Sequence, residues 1–257
     1  MPVGIDPTSD RPVFRQIADW LRSEISSGRL APGAQLPSES ELVGTFGTTR
    51  TTARQALGVL KSEGLIVSEH GRGAFVRRPP TVRRLAHDRF ARRHRKQGKA
   101  AFAAEAETGG FHAEVEVLRV GRDKATPAIA RRLGLRSSAA VLVRHRRYFA
   151  DGQPVEVATS YIPWAFAVGT VMTQQDTGPG GIYARLEESG HRLARFSEEV
   201  AARMPTPEET KMLRLDAGVP VIALVRTAVD YADEAVEVCE TVMAADRFVL
   251  EYELPAR

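Results

Sequence analysis

The chain has 257 residues, 43% of them hydrophobic and 26% charged, enough for two globular domains with cores of their own. No apolar run approaches the ~18 residues of a membrane span, the opening MPVGIDPTSD lacks the apolar stretch of a signal peptide, and the lone Cys239 excludes an internal disulfide and a cysteine-built zinc site, so the expected location is cytoplasmic. The net charge of +4 is unevenly spread: residues 1–100 hold 18 Lys/Arg against 9 Asp/Glu, the remainder 18 against 23, which places only the front of the chain to meet a polyanion.

Phe14, Ile17, Ala18, Leu21 and Ile25 recur at helical spacing, predicting an amphipathic helix of about 14 residues. Gly28 ends it, and LAPGAQLP (30–37) reads as a loop. Ser38 opens a short second helix with Glu41 three residues on, the spacing of a capping box, and Gly47 closes it. A third helix starts near Thr49. It turns Ala53, Ala56, Leu57 and Leu60 inward and leaves Arg50, Thr51, Thr52, Arg54 and Gln55 outside. LIVSE and AFVRR then flank the turn HGRG. Three helices and a hairpin make a winged helix-turn-helix.

That pattern explains the run TTRTTARQAL (48–57). In such a motif the front of the third helix enters the DNA major groove. Threonine hydroxyls and first-turn N–H groups suit phosphate oxygens, and an arginine fork suits guanine O6 and N7. HGRG supplies a narrow cationic turn for the adjacent minor groove. LPSESEL, TTRTTARQALGVLKSEGLI and HGRGAFV resemble the DNA-binding domain of the GntR family of bacterial transcription regulators over roughly residues 11–78. The resemblance implies that Ser38, Thr49, Arg50, Thr51, Thr52 and Arg54, with Gly71 and Arg72 of the wing, contact double-stranded operator DNA. One departure stands out: Ser40 replaces an arginine common in the family.

Residues 77–99 contain ten Lys/Arg and one acid, with Pro79-Pro80 among them. They read as a stiff basic connection, so the expected division is a winged domain over 1–78, a linker over 79–104 and a second domain over 105–257. There AEVEVLRV, AVLVRHRRYF, QPVEVATSYI, VIALVRTAV and AVEVCETVM have strand composition. Residues 126–160 repeat as 206–241 at a shift of 80, with one extra residue near the second turn. Each copy runs from Thr-Pro through a short helix, a strand and an Ala-Asp turn to VEV. The expected class is therefore α+β, two helix–hairpin units sharing one antiparallel sheet with a cleft between them.

VRHRR, ADGQPVE, SYIP, GGIYARLEESG, RFSEEV, PTPEE and MAADRF resemble the UTRA effector-binding domain of the HutC subfamily, over about 80–254. The resemblance implies a chorismate-lyase-like fold without catalytic residues, a homodimer, and a small-molecule effector. Arg144 and Arg146 alternate on one strand, so they share a face, and His145 takes the other. GPGG ahead of a helix offers free N–H groups to an anion, without the Lys-Ser/Thr of a phosphate-binding loop. The candidate effector residues are Arg144, Arg146, Tyr161 of SYIP, Gly181, Tyr183 and Glu198. Gly181 and Ala158 stand where phosphosugar sensors tend to carry serine and glutamate, which points to another small polar anion or zwitterion. Arg144 and Arg146 also have a purely structural option, ion pairs with Glu156 or Glu237. No cofactor, metal or membrane is expected, and no nucleophile–base spacing marks an enzyme. The expected function is a repressor released from a pseudo-palindromic operator by its effector; a dimeric repressor without an effector is the alternative.

Overall fold

In the computed structural model, which describes residues 5–6, 8–69, 71–86, 88–254 and 256, the chain divides between Pro79 and Pro80. The first unit opens with α1 (Val13–Ser26), which buries Ile17, Ala18 and Leu21. The loop after it is not free: Gly33 N–H donates to Val76 O at 2.9 Å and Leu36 N–H to Ala74 O at 2.8 Å. Helix α2 (Glu39–Phe46) starts at the Ser38 capping box with Glu41 and stops at Gly47, whose φ of 60° is left-handed. Helix α3 (Arg50–Ser62) is capped by the Thr49 side chain and buries Ala53, Ala56 and Leu60. Strands β1 (Ile66–Glu69) and β2 (Gly73–Val76) pair antiparallel as the wing. One core joins these elements, from Ile17 and Leu21 through Leu42 and Phe46 to Ile66 and Val76.

The second unit is α+β and contains, in order, β3 (Val82–Leu85), α4 (Arg92–Lys96), α5 (Ala101–Gly109), β4 (Ala113–Lys124), α6 (Pro127–Arg132), β5 (Ala140–Ala150), β6 (Gln153–Pro163), α7 (Trp164–Ala167), α8 (Gly181–Glu188), β7 (Leu193–Arg203), α9 (Pro207–Leu213), β8 (Val221–Asp230), β9 (Ala235–Ala244) and β10 (Phe248–Glu251). The sheet order β4-β5-β6-β9-β8-β7 is the duplication made visible. The two copies meet at the antiparallel β6·β9 pair, and Thr126 and Thr206 cap their equivalent helices. Each copy begins one strand earlier than the sequence repeat indicated, at β4 and β7. Those two strands carry the divergent, solvent-facing residues of the sheet edges, so their kinship left little trace in composition.

The basic segment 79–104 is not a linker. Its strand β3 pairs with β10, and that pair is parallel, unlike the sheet beside it. Arg84 is only 3% exposed. Its Nε donates to Glu105 Oε1 at 2.9 Å, and Nη2 reaches both Glu105 and Glu156. Arg89 joins Glu105 at 2.9 Å. Burial pushes the Glu105 carboxyl up to about 7 against the pull of Arg84. The basic run is thus partly internal, neutralised by acids distant in sequence. Arg84 is not available to DNA phosphates.

Candidate DNA-contact surface and ligand cavity

On the first unit, Arg50, Thr51, Arg54, Gly71 and Arg72 are exposed, while His70 of the wing turn lies outside the described residues. The Thr49 hydroxyl accepts the Thr52 N–H at 3.2 Å and lies 2.9 Å from the Thr52 hydroxyl. Ser38 Oγ is occupied by the Glu41 N–H at 3.2 Å. The two caps that fix the helix starts are therefore also candidate contacts, as the terminal hydroxyls of a helix often are. Arg54 is held by Glu39 through two hydrogen bonds of 2.8 and 3.0 Å. In the wing, Gln35 Nε2 donates to Arg72 O at 2.8 Å, and the Arg72 guanidinium pairs with Glu69.

On the second unit, one face of the sheet, helices α5 and α8, and the 89–90 turn enclose a cavity of about 580 Å³, within the range of small-molecule sites. Arg89, Arg144, Arg146 and Arg226 line it, against Glu156, Glu237 and the exposed Asp176. The lining cations outnumber the acids, and the wall is completed by Phe90, Phe102, Tyr148 and Tyr183. Gly178, Gly180 and Gly181 all have left-handed φ, of 73, 80 and 68°, so the GPGG run is demanded by the backbone. Gly180 N–H donates to Gly98 O at 2.8 Å. A Cβ on Gly181 would meet only Ala100 Cβ, at 3.5 Å; space does not exclude a side chain there, but backbone conformation disfavours one.

The arginines divide by how their donors are spent. Arg144 gives its two terminal nitrogens to the carbonyls of Met172, Gln174 and Gln175, and burial pulls it down to about 10. It braces the 172–175 segment. Arg226 Nε donates to the Tyr183 hydroxyl at 2.9 Å, its Nη1 lies 3.6 Å from Glu198, and its guanidinium stacks 4.4 Å above Phe90. The Tyr183 hydroxyl in turn donates to Glu237 at 2.5 Å. Burial raises the Tyr183 pKa well above the usual phenol range. Arg146 has neither a carboxylate nor a carbonyl partner among the described residues. Its Nη2 donates to Ser160 Oγ, its Nε, like those of Arg144 and Arg89, is buried with no hydrogen-bond partner, and its guanidinium rests near the Tyr148 ring.

Of the six candidate effector residues, Arg144, Arg146, Gly181 and Tyr183 converge on the cavity. Two do not. Tyr161 alternates to the opposite face, where it packs against the Ile129–Leu133 cluster and donates to Glu240 at 3.1 Å. Glu198 does not line the cavity; it sits behind Arg226 and accepts from Tyr252 at 3.2 Å. The structural option for the strand arginines is not realised among the described residues: Glu156 pairs with Arg84 and Glu237 accepts from Tyr183, each with acceptor sites to spare, and neither forms an ion pair with Arg144 or Arg146. His145 faces away, bonded to Thr159 at 2.8 Å. Sequence reasoning missed Arg226, Arg89 and Phe90, and named Glu156 and Glu237 only as ion-pair partners for the strand arginines, not as lining residues. The repeat held the signal for three: Arg226 matches Arg146 at the shift of 80, and Glu237 matches Glu156 at 81.

Residues 14–76 match the family of bacterial regulatory proteins described as gntR, and residues 108–249 match the UTRA domain. The HTH-type transcriptional regulator SCO4628 of Streptomyces coelicolor is 32% identical over 94% of this chain and 92% of its own. The HTH-type transcriptional repressor NagR of Bacillus subtilis is 28% identical, with 96% of each chain covered. The histidine utilization repressor of Pseudomonas aeruginosa is 28% identical over 84% of this chain and 80% of its own. Among solved structures, a GntR-family transcriptional regulator superposes with a TM-score of 0.63 at 27% identity, covering 96% of this chain and 99% of that one. PhnF from Mycobacterium smegmatis shares the fold, with a TM-score of 0.60 at 24% identity and coverage of 94% and 100%.

Proposed function

This chain belongs to the GntR family of bacterial regulatory proteins and carries a UTRA domain, and on that premise we propose that it is a homodimeric cytoplasmic repressor released from its operator by a small polar anion or zwitterion. As a family member it is a DNA-binding transcription regulator and not an enzyme. The observation that carries the ligand class is a set of buried, unpartnered Nε atoms, on Arg89, Arg144 and the half-buried Arg146, in a cavity whose lining cations exceed its acids. An unpaired buried donor is costly, and an anionic oxygen supplied by a ligand would satisfy it. Tyr148, Tyr183 and Phe90 offer flat apolar walls, and Glu156 and Glu237 are acceptors for a ligand hydroxyl or ammonium group. The names of relatives range from histidine utilization to mannosyl-D-glycerate transport and metabolism, so the particular effector does not transfer from them.

On the DNA side, the front of α3 enters the major groove and Arg72 of the wing the adjacent minor groove. A two-fold protein reads a pseudo-palindrome, one half-site per winged unit. The test has two steps. Duplexes selected from a randomised pool by the full chain are expected to converge on an inverted repeat. A panel of carboxylates, phosphate esters and amino acids is then titrated against that duplex. At least one is expected to release the wild type and to leave Arg146→Ala bound. Release of the variant by the same compound at the same concentration would sink the ligand assignment.

A further inference from the structure

Glu39 has no evident task of its own. It is the first residue of α2, in the turn capped by Ser38, and both of its carboxylate oxygens are turned onto α3. Arg54, whose side chain is 73% exposed, is met along one edge only. Nε donates to Glu39 Oε1 at 2.8 Å and Nη2 to Glu39 Oε2 at 3.0 Å. A guanidinium has five N–H donors in one plane. Two are now spent, and the two on Nη1 with the second on Nη2 face away from Glu39. The Nη1/Nη2 edge is a parallel pair of donors at the spacing that fits guanine O6 and N7. A long exposed arginine normally samples many rotamers, and ordering it on binding costs entropy. A fork already held in one plane avoids part of that cost.

We propose that Glu39 is a specificity-determining residue, which locks the Arg54 guanidinium with its outer edge presented to a base pair and, by its own charge, penalises binding to DNA where that contact is not made. The inference rests on the reading of α3 as the recognition helix. Its second clause follows from placing a carboxylate beside a phosphate-rich surface. At a correct site the Arg54 contact outweighs the repulsion, and elsewhere the repulsion remains. A stabilising role for the pair is small by comparison, since exposed ion pairs contribute little to folding. A first-turn acid also complements the α2 dipole, and that role must be separated from the proposed one.

Two substitutions separate them. Glu39→Gln keeps the shape and removes the charge. Glu39→Asp keeps a first-turn charge but is one methylene too short to hold both nitrogens. Each full-length variant is titrated with duplexes drawn from the randomised-pool selection, with single-base variants of them, and with a scrambled duplex, and its thermal midpoint is recorded. Both variants are expected to lose about tenfold in preference at the base pair that Arg54→Ala also flattens, with the midpoint nearly unchanged. Only Glu39→Gln should bind the scrambled duplex more tightly than wild type. Retained preference in both variants at that base pair overturns the proposal, as does a parallel loss of specific and scrambled binding with a lowered midpoint, the mark of a structural staple. If Arg54→Ala itself leaves every base preference intact, the recognition-helix reading has failed, and the proposal with it.

Discussion

The two units use the same side chain in opposite ways. In the first, Arg50, Arg54 and Arg72 stand in solvent, where a guanidinium keeps its hydration until a polyanion displaces it. Their acidic neighbours, Glu39 and Glu69, sit at the surface and orient rather than neutralise. In the second, Arg84, Arg144 and Arg226 are at most 5% exposed, and most of their partners are local carboxylates, carbonyls or a phenol. The set is not closed: the Nε atoms of Arg89, Arg144 and Arg146, all on the cavity lining, are buried without a hydrogen-bond partner. Exposure thus decides whether an arginine is a probe for a large partner, a brace, or half of a ligand site.

The largest expected effect attacks the brace. Arg84→Ala leaves Glu105 and Glu156 buried without their shared cation and should cost about 3–5 kcal/mol, read as a lower urea midpoint for the second unit. In the first unit, Leu60→Ala empties a fully buried position between α3 and its neighbours. A loss of about 2–5 kcal/mol is expected, and operator binding should fail while the ligand cavity is still filled. Such a split between DNA and ligand titrations checks that the units melt separately.

Proton linkage sharpens the same contrast. The Glu105 carboxyl is held up to about 7 in the folded protein by burial, against its ordinary 4.5. Between those values the folded state binds more protons than the unfolded one, so this group's contribution falls as pH rises from about 4.5 to about 7 and is flat above. Chemical denaturation of the wild type and Glu105→Gln at several pH values should differ in slope within that window only. The smallest effect belongs to the helix cap. Thr49→Ala removes the acceptor for the Thr52 N–H and should cost about 1 kcal/mol, with a uniform weakening of DNA binding and no change of base preference.

Legibility in the sequence followed locality. The winged unit was readable almost residue by residue, because caps such as Ser38–Glu41 and glycine stops such as Gly47 act over a single turn. The sheet was readable as a duplication, because Thr-Pro starts and VEV strands recur. What escaped was everything set by long-range pairing. Residues 79–104 carried the composition of a linker, yet Arg84 is buried by acids that stand 21 and 72 residues further along. Strand alternation placed Arg144 and Arg146 on one face correctly, but not how differently their donors are spent. Glu198 and Tyr161 were misplaced for the same reason: resemblance fixes a position in the chain, while the neighbouring strand and the packed helix decide what the side chain reaches.

The central claim is that occupancy of the cavity in the second unit sets the DNA affinity of the first. It is tested most directly by calorimetric titration of a releasing compound into the full chain, free and saturated with selected operator duplex. Coupling is reciprocal, so the operator is expected to weaken ligand binding by the same factor by which the ligand weakens operator binding, with the ligand signal lost in Arg146→Ala. A compound that binds through Arg146 with equal affinity in the presence and absence of operator would contradict the account.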